Sequence, residues 1–268
     1  MADMLEVALR PGIQGGKWAY LRPLSGHDEA FIQVTGSVDP VAFLDRLLIE
    51  VPGTTVGPGK AKELAVCDCD RLYMSLYLSY FGEKIEAIGT CRECREPFEL
   101  SFSLPELIQD LEGGTEANAT GPDEEGIYTL PDGRRFRLPT ANDQQRVKEL
   151  DPEKAVAALL VHCVVEGDPR EDPDLIQAAM DKVGAVLDLD LDAACPKCGI
   201  SQAVRFDIQT YLLRALAYEK RFLIHEVHRI AMAYGWEYGE ILWLTREDRR
   251  AFVRLIEADR KSLRRNRS

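Results

Sequence analysis

Val41, Leu44, Leu47 and Leu48 recur at helical spacing between Pro40 and Glu50, which predicts a helix with one apolar face. An extended segment around Lys17 to Pro23 precedes it, and a turn-rich loop from Pro52 to Gly59 follows. Leu72, Ser75, Leu76 and Tyr80 repeat the helical spacing after Cys67-Asp-Cys-Asp. Here Asp68 or Asp70 is the expected N-cap and Gly82 the expected stop.

The period then changes. Lys84 to Thr90 alternates as a strand does, Cys91-Arg-Glu-Cys94 forms a turn, Pro97 to Leu104 alternates again, and Leu104 to Leu111 opens a helix. Gly113 to Gly126 is acidic and rich in Gly, Thr, Asn and Asp, the composition of a linker. Beyond it, Asp132-Gly133 sits between short extended segments as in a tight hairpin. Helices are predicted near Asp143 to Leu150, Pro152 to Val165 and Asp172 to Leu187.

Alternation returns from Leu187 to Leu191, followed by Cys195-Pro-Lys-Cys198-Gly, a strand from Gln202 to Ile208 and a helix from about Gln209. Superposing Cys91 on Cys195 also places Cys94 on Cys198, Phe102 on Phe206, Leu104 on Ile208 and Ile108 on Leu212, as expected of two equivalent halves. Leu223, Ile224, Val227, Ile230, Ala231 and Tyr234 form an apolar stripe that ends at Gly235. A short helix over Tyr238 to Leu244 follows. Thr245-Arg-Glu-Asp248 caps a last helix whose Phe252, Leu255 and Ile256 should face inward.

The chain has 268 residues, 46% of them apolar, enough for one large core or two modest ones. The longest apolar run, Ala155 to Val165, is too short to span a bilayer and is broken by His162. The first residues lack a signal-peptide pattern, so a cytoplasmic location is expected. The net charge is -12, and Arg260, Lys261, Arg264, Arg265 and Arg267 crowd the end; removing those five positive charges leaves -17 on the rest. Such a body repels a phosphate backbone. The basic end reads as a solvated terminus.

Seven cysteines, an odd number, argue for buried or metal-bound thiols rather than a disulfide framework. Two residues between paired cysteines let one turn aim both sulfurs at one ion, and tetrahedral zinc takes four thiolates. Cys91, Cys94, Cys195 and Cys198 are therefore the predicted ligands of one structural zinc, although 100 residues separate the pairs. A redox pair and free surface thiols are the competing readings. Catalytic zinc would need an open position that four cysteines close. Cys67, Cys69 and Cys163 are expected to be buried, with metal contact as the minor alternative.

His225-Glu-Val-His228 has its histidines three apart, not the four of the zinc-protease helix, so it reads as a solvent-facing or partner-facing helix edge. Gly53 to Lys60 departs from a phosphate-binding loop by one residue and by Ala61 in the Ser/Thr position. No nucleophile triad, paired catalytic carboxylates or dinucleotide fingerprint stands out, and no enzyme is expected.

Five stretches together resemble the T-even phage baseplate hub assembly chaperone family, with relatives in contractile injection systems. They are Leu21-Arg-Pro-Leu-Ser-Gly-His-Asp-Glu-Ala, Phe81-Gly-Glu-Lys, Phe136-Arg-Leu-Pro-Thr, Cys195-Pro-Lys-Cys-Gly with Phe206-Asp, and His225-Glu-Val-His-Arg-Ile-Ala-Met-Ala-Tyr-Gly-Trp. The last continues through Glu240-Ile-Leu-Trp-Leu to Arg249-Arg-Ala-Phe-Val-Arg-Leu-Ile. The family's helix-capping Ser after Tyr-Gly-Trp is Glu237 here.

The resemblance implies a non-enzymatic assembly chaperone or baseplate component that binds hub, spike or tape-measure tail proteins, with retention in the finished particle left open. His225, His228 and Trp236 are the candidate partner-binding residues, and Trp243 is expected to pack in the core. A zinc-ribbon protein that binds nucleic acid or regulates is the alternative function. The expected class is α+β: two zinc-knuckle β-hairpins forming a zinc-ribbon-like site, a helical insert and a C-terminal helical module. The expected units are 1-112, an acidic linker 113-126, a hairpin with helical insert 127-187, the second knuckle 188-212 and the helical module 213-268.

Overall fold

The computed structural model describes residues 4–13, 16–32, 38–112 and 119–265. Of the expected linker, 113–118 lie outside them, whereas 119–126 join the insert, Thr120 bridging Thr129 and Asp123 accepting from Ile127 N and pairing with Arg135; of the basic end, Arg260 and Lys261 lie within the last helix and the side chains from 263 onward are not described. The described chain mixes helices with small antiparallel sheets.

Strands β1 (Leu5–Ile13), β2 (Gly16–Leu21) and β3 (Leu48–Ile49) make the first sheet. Helices α1 (Gly26–Phe31) and α2 (Pro40–Leu47) lie between its second and third strands, and α3 (Val66–Phe81) packs against β1. Next come the hairpin β4 (Lys84–Thr90) and β5 (Pro97–Ser103) and helix α4 (Leu104–Glu112). The insert holds β6 (Ile127–Thr129), β7 (Arg135–Arg137), α5 (Ala141–Val147), α6 (Pro152–Cys163), β8 (Val164–Glu166) and α7 (Pro173–Val183). A second hairpin, β9 (Asp188–Ala194) and β10 (Ser201–Asp207), runs straight into α8 (Ile208–Tyr234), followed by α9 (Tyr238–Trp243) and α10 (Arg246–Arg265).

The largest core joins Leu21, Phe43, Leu47, Tyr73 and Leu76 to the feet of both hairpins and the first turns of α8. A second gathers Tyr128, Phe136, Leu160, Cys163 and Ile176 within the insert, and a third joins Leu223, Val227, Ile230, Ile241 and Ile256 in the C-terminal helices. α8 is continuous through residue 212, where a unit boundary was expected, and so links the hairpins to the C-terminal helices in one rod.

Two pairs of helix starts are coupled in the same way. Gly26 N donates to Leu244 O and Arg246 N to Leu24 O, tying the start of α1 to that of α10; Val66 N donates to Pro139 O and Ala141 N to Leu64 O, tying α3 to α5. These bonds satisfy backbone groups that helix starts leave open. Asp28 and Asp143 complete the arrangement. Asp28 accepts from Ser25 N (2.9 Å) and from Arg22, and Asp143 accepts from Thr140 N (3.0 Å) and from Arg137.

Several expectations are corrected. Asp68 and Asp70 are not N-caps: α3 begins at Val66, because Ala65 is held by its bridge to Thr140, and Cys67 and Cys69 lie inside the helix. The freed carboxylates reach elsewhere, Asp68 accepting from Arg10 N and Gly12 N, and Asp70 from Leu187 N and the Gln209 amide. The predicted helix to Val165 ends at Cys163, since Val164 pairs with Phe136 as a third strand. β1 went unread because Pro11 and Gly12 interrupt its alternation. Leu255 is exposed on α10, while Val253 packs against the core there.

Candidate metal centre

Each Cys-x-x-Cys segment closes a seven-residue strand pair, Lys84 opposite Ser103 in one and Asp188 opposite Asp207 in the other. The turns are built alike. Cys91 N donates to Glu96 O and Arg95 N to Cys91 O; Cys195 N donates to Ile200 O and Gly199 N to Cys195 O. The residue after each second cysteine is left-handed, Arg95 at φ 61° and Gly199 at φ 74°. At the feet, Leu104 N donates to Glu83 O and Ile208 N to Leu187 O, so the equivalence read from the cysteine alignment runs the length of both hairpins.

The hairpins face each other. Phe102 and Phe206 meet edge to face at 5.1 Å, and Phe98, Leu100, Ala193 and Val204 fill the space beneath the cysteines. Gly89 lies opposite Phe98 in the register, where a Cβ would come 2.9 Å from the ring. Gln202 bridges the hairpins, its Oε1 accepting from Arg92 N (2.8 Å) and its Nε2 donating to Thr90 O (3.3 Å), and Lys197 pairs with Glu96.

This packing brings the four sulfurs within 4.8 Å of one another. Cys91 and Cys198 are 3.6 Å apart and Cys94 and Cys195 3.7 Å, contacts too long for disulfides. Cys91 and Cys195 are buried, Cys94 half-buried and Cys198 exposed. The N–H groups of Cys198 and Lys197 draw the Cys195 thiol down to about 6; at Cys94 the Glu96 N–H, which favours the thiolate, is outweighed by desolvation and by hydrogen bonds with the other three sulfurs, and the thiol is pushed up to about 12. Four sulfurs this close together can hold one metal ion.

The chain matches no protein-family model, no curated protein and no solved structure.

The other cysteines take no part in this cluster. Burial raises the thiol pKa of Cys67 and Cys69, and that of Cys163 to about 11; all three remain protonated in apolar or backbone-lined surroundings. The glycine loop offers no anion site at its end, because Gly59 N and Ala61 N already donate to the Asp45 carboxylate.

His225 and His228 are exposed on α8 and take no part in the four-cysteine cluster. Trp236 is half-shielded against Phe252 (5.2 Å) and Tyr234 (5.3 Å). Trp243, expected in the core, is 74% exposed and lies on His27 at 4.6 Å, because Ile241 and Leu242 take the inward positions of a six-residue helix. Glu237 fills the capping position, its backbone N–H donating to the Glu240 carboxylate.

One polar assembly escaped the sequence reading. Arg249, fully buried, donates to Glu29 at 2.5 Å and Glu226 at 3.0 Å, and Arg246 and Arg250 extend the network to Glu219. It joins α1, α8 and α10.

Proposed function

We propose that the protein is a zinc-stabilised, non-enzymatic assembly factor for a contractile tail or tail-like injection system. Zinc suits the four thiolates: a tetrahedron with metal–sulfur bonds of about 2.3 Å has edges of about 3.8 Å, close to the Cys91–Cys198 and Cys94–Cys195 separations. Four cysteines leave no position for water or substrate, so the ion is structural and the paired hairpins form a zinc-ribbon-like clasp.

The assembly role is supported by the C-terminal helices. The stretch with the most distinctive resemblance to baseplate hub assembly chaperones lies on α8, α9 and α10, where Tyr218, Met232, Tyr238 and Trp243 stand in solvent. Exposed aromatic and methionine side chains on these neighbouring helices suit a partner-binding surface. His225 and His228 lie on it, and Trp236 borders it at the end of α8.

The tagged protein, purified from cells producing tails, should bring down hub, spike or tape-measure proteins. Recovery without any tail protein would overturn the reading.

A further inference from the structure

α8 has two unlike faces. Leu212, Leu216, Leu223, Val227 and Ile230 are buried on its inner side, which meets α1, α3, α9 and α10. On the outer side Arg214, Tyr218, Arg221, His225, His228 and Met232 follow one another at alternating steps of four and three, a single stripe, and all are exposed.

The stripe is basic and aromatic in a chain of net charge -12. The two acids of α8, Glu219 and Glu226, are held on the inner side by Arg246, Arg249 and Arg250. At the centre, the Arg221 guanidinium lies over the Tyr218 ring at 3.9 Å and the Phe222 ring at 4.7 Å. Neither Arg214 nor Arg221 has an acidic partner among the described residues. A guanidinium held flat on rings keeps its N–H edge for a carboxylate and loses little freedom on pairing.

Resting on the reading of this module as a partner-binding surface, we propose that the outer face of α8 docks an acidic amphipathic helix of the partner, anchored on Arg221. The stripe is straight and about 27 Å long at 1.5 Å per residue, a ridge that a helix can follow with apolar positions against Tyr218 and Met232 and carboxylates against the arginines. A second copy of this chain is a poor occupant, because two such faces would set arginine against arginine. The net acidic chain steers an acidic ligand toward its basic surfaces, and of these the α8 face, unlike the basic end of the chain, pairs its cations with exposed rings at helical spacing.

The test uses two synthetic amphipathic helical peptides of about 20 residues with the same leucines, one carrying Glu and the other Lys at its polar positions. Fluorescence anisotropy with the metal-loaded full chain should show the Glu peptide binding at least tenfold more tightly. The double variant Arg214→Glu, Arg221→Glu should abolish that preference with unchanged thermal unfolding, whereas Lys148→Glu, Arg170→Glu, of equal charge change, should keep it. Equal binding of the two peptides, tighter binding of the Lys peptide, or loss of preference in the control variant as well overturns the inference. Co-purification of tail proteins is read separately, so either conclusion can fail while the other stands.

Discussion

Asp143 shows how one carboxylate can organise a helix start. Burial works against its charge, but hydrogen bonds from Arg137 and Thr140 outweigh it and lower its pKa to about 2. The unfolded value is near 3.9, so its contribution is present above pH 4 and is lost as pH falls through 4 toward 2. Asp143→Asn should therefore destabilise the protein by roughly 1–2 kcal/mol at pH 7, and denaturation curves of the two proteins should draw together below about pH 4 and converge only near about pH 2. A constant difference across that range would show that charge is not the cause. Arg249 makes a larger demand. Arg249→Met would leave the buried Glu29 and Glu226 with only their longer contacts to Arg246 (3.9 Å) and Arg250 (3.6 Å), an expected loss of about 3 kcal/mol by chemical denaturation. Replacing Glu29 and Glu226 with leucine as well should recover most of it.

Among elements, the two knuckles are near copies whose left-handed position is filled by different residues. Gly199 adopts the left-handed conformation without strain, but Arg95 carries a Cβ there, at a cost of roughly 1 kcal/mol. Arg95→Gly should thus raise the unfolding midpoint slightly, a gain of about 0.5–1 kcal/mol, while metal content is unchanged; a fall would mean that the Arg95 side chain makes a contact worth more than the strain. This level was the most legible in sequence. Alternation around paired cysteines, the Asp132-Gly133 turn and Gly82 and Gly235 as stops all rest on local chemistry that one segment states alone. The start of α3 and the short β8 were not legible, because Ala65 and Val164 are fixed by Thr140 and Phe136, far along the chain. The four cysteines that cluster could be named from spacing. The Arg249 network could not, since Glu29 lies 220 residues away and no periodicity links the two.

At the scale of the whole molecule, the clasp and α8 form one continuous path, since β10 passes directly into the helix that ends among the C-terminal residues. The chain should contain one zinc per molecule by elemental analysis, and less than half an equivalent after purification under reducing conditions would refute the site. Chelation should cause cooperative unfolding that takes the hairpin feet and the first turns of α8 with it, as hydrogen exchange would report, because metal binding and folding are coupled in such sites. Closing a loop of 100 residues has an entropy comparable to that of a disulfide over the same span, about 4–5 kcal/mol.

That long separation also sets an order of events during synthesis. When Cys94 leaves the ribosome only two ligands exist, and the ion must wait through the whole insert for Cys195 and Cys198. A message truncated within that interval yields a product with half a site and little hold on zinc. Metal uptake at the proposed site would thus act as a completion mark, showing that translation has passed residue 198 and that the insert has let its two ends meet.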